Sequence, residues 1–295
     1  MKDKKLEWKR IGIFITLAYG INWTSWIIIY SIAGSYEKIT ESPLLSFLWV
    51  LLMFPPALSN ILTRIITKEG MENSLLSLKL NGKMKYYIAP LFLPILIAFI
   101  IGIICSFVFT DGFSIKAIDE QAGGFAGFAG NILYMISISA ATAYITFGEE
   151  FGWRGYLYPK LEKLIGMPKA VILGGIIWGM WHAPIIANGY NFGTDYPGAP
   201  FIGLLIMCIF CIAAGSMLMW LTKKTDSIYP ASIAHAIINN CTGLVVVLIA
   251  PETDKIIEND IFHFQLVHML SASLIYSVFA FLLIRESRKK TVSNT

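Results

Sequence analysis

The sequence contains few charged residues for its length. Of its 295 residues, 14% are Asp, Glu, Lys or Arg, whereas 56% are hydrophobic. A soluble globular domain is about 25% charged, so this composition excludes an ordinary soluble protein. The net charge of +4 comes from basic residues scattered through short segments, which argues against nucleic acid as a partner. The shortage of charge predicts a protein that crosses a lipid bilayer several times.

Cysteine is scarce, and the four cysteines all lie inside apolar stretches. Cys208 and Cys211 form a C-x-x-C pair, but no second pair accompanies it. A disulfide framework or a structural zinc site needs several cysteines at recurring spacings. We therefore expect Cys105, Cys208, Cys211 and Cys241 to be packing residues of membrane helices.

Internal repeats, low-complexity segments and long polar linkers are also missing from the sequence. This absence predicts one integral-membrane domain comprising residues 1–295. A spanning helix needs about 20 predominantly apolar residues, and eight segments meet that requirement. The first is too long for the apolar core of a signal peptide, so we expect it to be retained. The eight segments are approximately residues 11–33, 44–66, 86–109, 130–150, 169–187, 200–221, 229–250 and 265–284.

The distribution of basic residues supports this count independently. If the N-terminus is inside, the inside segments hold 20 of the 23 Lys and Arg residues, and the outside loops hold only Lys38, Lys116 and Lys255. Cytoplasmic loops of membrane proteins are enriched in Lys and Arg. The sequence therefore predicts an all-α, polytopic membrane helical bundle with eight transmembrane helices and both termini cytoplasmic, located in the plasma membrane.

Two adjacent carboxylates occupy the end of the fourth predicted span. On a helix, Glu150 and Arg154 are four residues apart and face each other, so we expect an ion pair. Glu149 is rotated by about 100° from Glu150 and is left to point into a cavity. Ionisable residues at membrane depth are expensive and usually functional. One glutamate is thus expected to be held by the arginine and the other to be available for chemistry.

Two histidine segments follow, each with a polar or aromatic partner four residues away. Trp178 and His182 share a face of the fifth predicted helix, and His235 and Asn239 share a face of the seventh. Single histidines in a bundle are often packing residues. Two histidines together with a free glutamate and an asparagine on one helix face favour a functional site instead. The other histidines, His263 and His268, are expected to lie at the membrane interface.

Small residues flank these polar positions. Gly148 and Gly152 are four apart beside the carboxylates, and Gly175 and Gly179 are four apart in the fifth helix. Small residues at this spacing let membrane helices approach closely. We expect them to bring the fourth and fifth helices near enough for Glu149 and the first histidine to share one water.

The depths of the two histidines need an explanation. At 1.5 Å per residue, His182 lies about 18 Å along its helix and His235 about 7 Å along its own. Both helices enter from the same side, so the histidines would lie at different levels. We expect the segment between Arg154 and Lys169 to continue as a cytosolic helix, so that the fifth helix starts below the bilayer. Pro184 also allows a break in the fifth helix just after His182.

The three motifs resemble those of a known family. Glu149-Glu150 with Arg154, Trp178 with His182, and His235 with Asn239 are similar, in this order and at membrane helices, to the signature motifs of the CPBP family of intramembrane proteases. That family comprises CAAX prenyl endopeptidases and bacteriocin-processing proteins, and is also called the Abi family. The resemblance covers residues 130–250, the expected catalytic core of helices 4 to 7. One departure is Trp178, where the family usually has Phe.

The resemblance implies a role for each residue. Glu149 would activate a water molecule as general base, while His182, His235 and Asn239 would hold the water, a metal or the oxyanion of the tetrahedral intermediate. Arg154 and Glu150 would buttress the site. An amide and a neutral imidazole can both donate to a developing oxyanion, so the residue chemistry permits these roles.

A metal is the least constrained part of this prediction. Catalytic zinc usually has three protein ligands and a water, and His182, His235 and Glu149 would supply that number. Glu149 could then hardly also be the base, and the sequence has no H-E-x-x-H motif. The family label of metalloprotease favours a divalent metal, with Zn²⁺ at His182 and His235 as the expectation.

Several functions are compatible with these features. The first is a membrane metalloendopeptidase that cuts a membrane-associated peptide or a prenylated protein C-terminus on the cytoplasmic side. The alternative within the family is a bacteriocin self-immunity or maturation factor. A proton-coupled transporter is an alternative of a different class, since intramembrane Glu, His and Arg also build proton relays, although no inverted repeat is present. A purely structural membrane protein would not need two histidines, two glutamates and an asparagine at membrane depth.

Overall fold

A computed structural model of the chain describes residues 2–110, 112–113, 115–249 and 253–293. Within these ranges the chain forms helices and turns and no β-strand, so the predicted all-α class is confirmed. The seventh predicted span ends at residue 250, which lies outside the described residues. The helices that precede the candidate site are α1 (Lys2–Ala33), α2 (Tyr36–Glu41), α3 (Pro43–Leu51), α4 (Pro55–Ile66), α5 (Lys85–Phe109) and α6 (Ile115–Ala122).

The remaining helices carry the candidate site or surround it. One of them is followed by a single turn of π-helix, and the last combines two helices across a kink at Asp260. These elements are α7 (Gly124–Gly152), the π-turn (Trp153–Leu157), α8 (Tyr158–Ile165), α9 (Met167–Trp181), α10 (Ala183–Ala187), α11 (Phe201–Thr225), α12 (Tyr229–Asn240), α13 (Thr242–Val247) and α14 (Thr253–Ser293).

Seven helical segments of the described chain are long and apolar enough to cross a membrane, and α9 is a shorter apolar helix of 15 residues. Together they correspond to the eight predicted segments. The predicted fifth segment is interrupted at His182, where α9 ends and α10 begins. Pro184 has no N–H to donate to the preceding turn, which favours a bend or break of the helix here. The fourth segment begins earlier than predicted, because α7 is helical from Gly124.

The basic segments meet at one end of the bundle, which we call the basic face. It comprises the start of α1, residues 67–84, residues 158–169, residues 222–228 and the end of α14. Salt bridges join these segments: Lys160 to Glu7, Lys223 to Glu162 and Lys224 to Glu286. We call the other end the opposite face; its described parts are residues 34–42, 112–113, 115–123 and 188–200 and the start of α14.

The glycines of the predicted small-residue motifs do allow close packing, but the predicted partners are wrong. A Cβ added to Gly148 of α7 would lie 2.6 Å from the Met53 carbonyl oxygen, at the link between α3 and α4. A Cβ added to Gly179 of α9 would lie 2.6 Å from the Cα of Cys208 in α11. The two glycine surfaces therefore face α4 and α11, and not each other, because spacing specifies a close contact without specifying its partner.

Candidate active site

Glu149 lies near the C-terminal end of α7, and 3% of its surface is exposed. Its Oε2 atom accepts a hydrogen bond from the indole N–H of Trp178 at 2.6 Å and another from the indole N–H of Trp153 at 3.2 Å. The side chain also lines an internal cavity. The expectation of a glutamate that points into a cavity thus agrees with the structure, although one carboxylate oxygen has two donors and only the other is available.

Glu150 has different partners from its neighbour. Its Oε1 atom accepts a hydrogen bond from Arg154 Nη1 at 2.8 Å, which is the predicted ion pair, with both side chains fully buried. The same oxygen lies 2.8 Å from His235 Nδ1. Because a carboxylate oxygen can only accept, a proton occupies this Nδ1. Glu150 therefore fixes the orientation of His235 and leaves its Nε2 directed elsewhere.

The guanidinium of Arg154 is held by aromatic faces as well as by Glu150. Its central carbon lies 4.1 Å from the ring centroid of Trp178 and 5.0 Å from that of Tyr158. Cation–π contacts of this kind are strongest when the groups are removed from water. Trp178 thus connects the two glutamates, because its N–H donates to Glu149 while its face covers the cation that pairs with Glu150.

The π-turn explains how α7 can present both glutamates and the arginine. The chain widens over Trp153–Leu157 immediately after the carboxylates, and single π-turns in helices occur frequently at functional sites. Asn60 of α4 donates from Nδ2 to the carbonyl of Phe151 at 2.8 Å. This bond is an example of a polar residue inside a span that links two helices.

His182 marks the junction of α9 and α10. Its Nδ1 lies 2.9 Å from the carbonyl oxygen of Trp178, and since a carbonyl only accepts, this nitrogen is protonated. Trp23 of α1 and, more weakly, Asn22 donate to the carbonyl of Trp181, which the end of the helix leaves free. When this imidazole is neutral, Nε2 carries the lone pair, and α1 anchors the break that positions the ring.

One cavity of about 610 Å³ collects the predicted residues. Glu149, His182, His235 and Asn239 all line it, whereas Glu150 and Arg154 are fully buried behind them. The roles that the resemblance implies stay predictions, but the structure brings the four lining residues to a common space.

Both histidines lie beside the ring of Trp178 despite their different distances along their helices. The Trp178 ring is in edge contact with the His235 ring at 5.4 Å and lies 6.2 Å from that of His182. One reason is that α12 begins inside the bundle: Ile228, just before it, is fully buried and donates its backbone N–H to the carbonyl of Leu75. The loop before α5 thus covers the start of α12.

Sequence reasoning missed two donors to the catalytic candidate. Trp153 lies four residues after Glu149 on the same helical face, so the i, i+4 rule could have identified it. Trp178 was expected only to share a helix face with His182, and its N–H bond to Glu149 joins residues 29 apart in the sequence. His268 was expected at the membrane interface, but it also lines the cavity.

The donor set falls short of the usual zinc site. Among the residues that the structure describes, no three His, Cys, Asp or Glu side chains are placed to hold one metal ion. Both imidazoles have Nδ1 bonded to a carbonyl or carboxylate oxygen, as metal-bound histidines usually do, and Nε2 makes neither of these bonds. The third candidate ligand is Glu149, and one of its carboxylate oxygens already accepts hydrogen bonds from two indole N–H groups. The zinc expectation stays a prediction, and no reaction step below depends on it.

Fold and site together define a class of protein: a multi-pass, all-helical membrane protein with buried carboxylates and imidazoles around an internal cavity. Comparison with known proteins shows what this chain is similar to. Residues 130–241 match the family model described as type II CAAX prenyl endopeptidase Rce1-like. A curated protein of Methanococcus maripaludis, CAAX prenyl protease 2, is 26% identical over 257 residues, which cover 81% of this chain and 87% of that protein. The predicted resemblance to the CAAX prenyl endopeptidases, a family of peptidases, is confirmed.

Proposed function

We propose that this protein is an intramembrane endopeptidase that hydrolyses a peptide bond with a water molecule activated by Glu149. The observation that carries the proposal is the cavity that Glu149, His182, His235 and Asn239 line together. The similarity to CAAX prenyl endopeptidases supports the reaction class. A membrane-associated peptide or a prenylated protein C-terminus is the corresponding substrate, and the plasma membrane is the corresponding location.

In this mechanism the free oxygen of Glu149 removes a proton from the water while the indoles hold the other oxygen in place. The hydroxide attacks the scissile carbonyl carbon, and the carbonyl oxygen becomes an oxyanion. Asn239 donates an amide N–H to that oxyanion, and the Nε2 atoms of His182 and His235 accept from water and fix its position. When the C–N bond breaks, the protonated Glu149 returns its proton to the departing amine.

A metal would supply Lewis-acid polarisation of the carbonyl if it bound at His182 and His235. The residues' own contributions remain those just given: an oriented carboxylate, two oriented imidazoles and an amide donor. Glu150 and Arg154 act on the site through His235 and Trp178, so they are positioning residues.

Replacing Glu149 with Gln tests the proposal. The purified protein in detergent is incubated with a farnesylated CAAX peptide and with a leader peptide, each with and without chelator. Removal of a general base lowers the rate by about a hundredfold or more, so we expect E149Q to lose cleavage while keeping its melting temperature. Glu162→Gln is the matched control, because Glu162 pairs with Lys223 on the basic face. Full cleavage by E149Q would refute the mechanism.

The chelator arm decides the metal separately. Loss of cleavage that Zn²⁺ restores would assign a zinc-dependent reaction to this site. An unchanged rate would assign the hydrolysis to the protein side chains alone. A transporter, in contrast, would take up substrate into proteoliposomes and give no cleaved peptide.

A further inference from the structure

Arg64 is a buried cation that the proposed mechanism does not use. It lies near the end of α4, and 4% of its surface is exposed. Removing a charged side chain from water is costly unless its hydrogen-bonding groups are satisfied. Its Nε donates to Asn60 Oδ1 at 2.7 Å. Its Nη1 donates to the carbonyls of Gly70 and Glu72 at 2.9 Å and 3.1 Å. The guanidinium therefore joins α4 to the loop that follows it.

Asn60 connects Arg64 to α7. Its side chain is fully buried, and its Nδ2 donates to the carbonyl of Phe151 at 2.8 Å. A guanidinium can only donate and a carbonyl can only accept. The amide is therefore held in one orientation, with its oxygen toward Arg64 and its nitrogen toward Phe151. Since Phe151 follows Glu149 by two residues, this bond fixes the backbone of α7 beside the proposed base.

Arg64 also contacts the π-turn directly. Its guanidinium carbon lies 5.1 Å from the ring centroid of Tyr156. A π-turn holds one residue more than an α-turn and is rare; here the N–H of Tyr158 bonds the carbonyl of Trp153, five residues earlier. Relaxation to a regular α-helix would rotate Tyr158 by about 100° relative to the carboxylates. Because Tyr158 packs on Arg154, contacts that keep the π-turn also keep the buried ion pair in place.

The loop between α4 and α5 extends the same connection to α12. Beyond the two carbonyls that bind the guanidinium, Leu75 accepts a hydrogen bond from the backbone N–H of Ile228 at 3.1 Å. Ile228 is fully buried and precedes α12, the helix that carries His235. Asn73 and Leu75 have positive φ angles of 59° and 60°. Residues other than glycine rarely adopt such angles and keep them only where surrounding contacts hold the backbone. The loop is thus held in one conformation, and Arg64 anchors it to α4.

One guanidinium therefore reaches two helices of the site, α7 through an amide and α12 through a loop. Neither Arg64 nor Asn60 lines the cavity, so each acts on the reaction only through other residues. We propose that Arg64 and Asn60 are positioning residues of the peptidase site. They set where the helix of Glu149 lies relative to the helix of His235. This inference rests on the proposed endopeptidase function.

Asn60→Asp separates positioning from packing. An aspartate keeps an acceptor for Arg64 but has no N–H for the carbonyl of Phe151. The carboxylate would also face that carbonyl without a proton between them, so we expect the end of α7 to shift. Arg64→Lys is a second variant, which keeps the buried charge. An ammonium lacks the planar set of donors that bonds an amide and two carbonyls at once, so we expect the same shift.

Indole N–H signals report the position of Glu149 without using activity. Trp153 and Trp178 donate to this carboxylate, and NMR of protein with ¹⁵N-labelled tryptophan in detergent observes both donors. We expect N60D and R64K to shift these two signals and to leave that of Trp8, which is exposed, in place. Unshifted signals of Trp153 and Trp178 in the two variants would overturn the proposal.

Ser59→Ala is the matched control on the same helix. Ser59 is fully buried, and its hydroxyl bonds the carbonyl of Pro55 within α4 at 2.7 Å. The variant therefore removes a buried hydrogen bond of α4 that joins neither α7 nor the loop. We expect its indole signals to match those of the unsubstituted protein. Equal shifts in S59A and N60D would contradict the proposal, because general loosening of α4 would then account for both.

Peptide cleavage by the same preparations, normalised to the amount of folded protein, measures the effect on the reaction. A small misplacement of a catalytic group can cost about a hundredfold in rate, so we expect N60D and R64K to lower kcat at least about tenfold. KM should stay nearly unchanged, because neither residue lines the cavity, and S59A should cleave like the unsubstituted protein. Full cleavage by N60D and R64K would refute the positioning role. If the unsubstituted protein cuts no peptide, the endopeptidase function fails, and the indole signals still decide whether these residues position Glu149.

Discussion

The two adjacent glutamates differ in the kind of group that holds them. Glu150 faces the charge of Arg154 and the ring of His235, so it is neutralised within the protein. Glu149 accepts only neutral indole N–H groups from Trp153 and Trp178, which orient it without supplying a counter-charge. A carboxylate that is oriented but not neutralised is suited to accept a proton from water.

Trp178→Phe removes one of these N–H donors while keeping an aromatic ring beside Arg154. A hydrogen bond to a charged group contributes about 1.5–3 kcal/mol, so we expect kcat/KM to fall by about tenfold or more. Trp220→Phe is the control, since its N–H bonds Glu286 far from the cavity. Peptide cleavage assays and thermal melts of both variants measure the effect. Equal activity of W178F and W220F would show that the indole does not position Glu149.

At the scale of elements, the site depends on close packing of α7 against α4. Gly148 precedes the glutamates by one residue, and its Cα approaches the backbone of Met53 and Phe54. Asn60 then binds the carbonyl of Phe151 on the same pair of helices. Contact between backbones lets α4 hold α7 at the point where the π-turn begins.

Gly148→Ala is therefore expected to separate these helices. Its added Cβ would meet the Met53 carbonyl oxygen at 2.6 Å, and overpacking of this kind costs about 1–3 kcal/mol. We expect a lower melting temperature in detergent together with weaker cleavage. Gly130→Ala is the matched control on α7, because no atom lies within 4 Å of its added Cβ. A melting temperature that is lowered equally in both variants would indicate a general effect of helix glycines.

At the scale of the whole molecule, a cluster of charges joins the N-terminal helix to the segment that follows the site. Lys160 Nζ lies 2.6 Å from Glu7 and 2.5 Å from Glu69, and Arg10 pairs with the same two glutamates. Tyr156 of the π-turn donates to Glu69 at 3.1 Å. The cluster therefore ties α1 and the end of α4 to the π-turn and α8, which follow Glu149 in the chain.

Lys160→Met removes one of two cations and leaves Glu7 and Glu69 to share Arg10. Removing one partner from a largely buried ion pair can cost about 3–5 kcal/mol, and partial exposure of these groups lowers that figure. We expect a clearly lower melting temperature in detergent. Lys163→Met, at an exposed position on the same helix, should leave it unchanged. If the two variants melt alike, the cluster does not contribute to stability.

The sequence by itself determined the class, the number of apolar segments and the pairs four residues apart. The apolar segments and the distribution of Lys and Arg follow from the bilayer, which acts as the solvent of the helices. The ion pair between Glu150 and Arg154 follows from the helical repeat, which is a local property of the chain. The predicted segments and this ion pair agree with the structure for that reason.

Only the tertiary structure decided which elements meet. Three kinds of contact join residues far apart in the chain. They are the close approaches at Gly148 and Gly179, the bond from Trp178 to Glu149, and the ring contact between Trp178 and His235. Helical spacing specifies which side chains share a face, but the face that each helix turns toward depends on the packing of all the others.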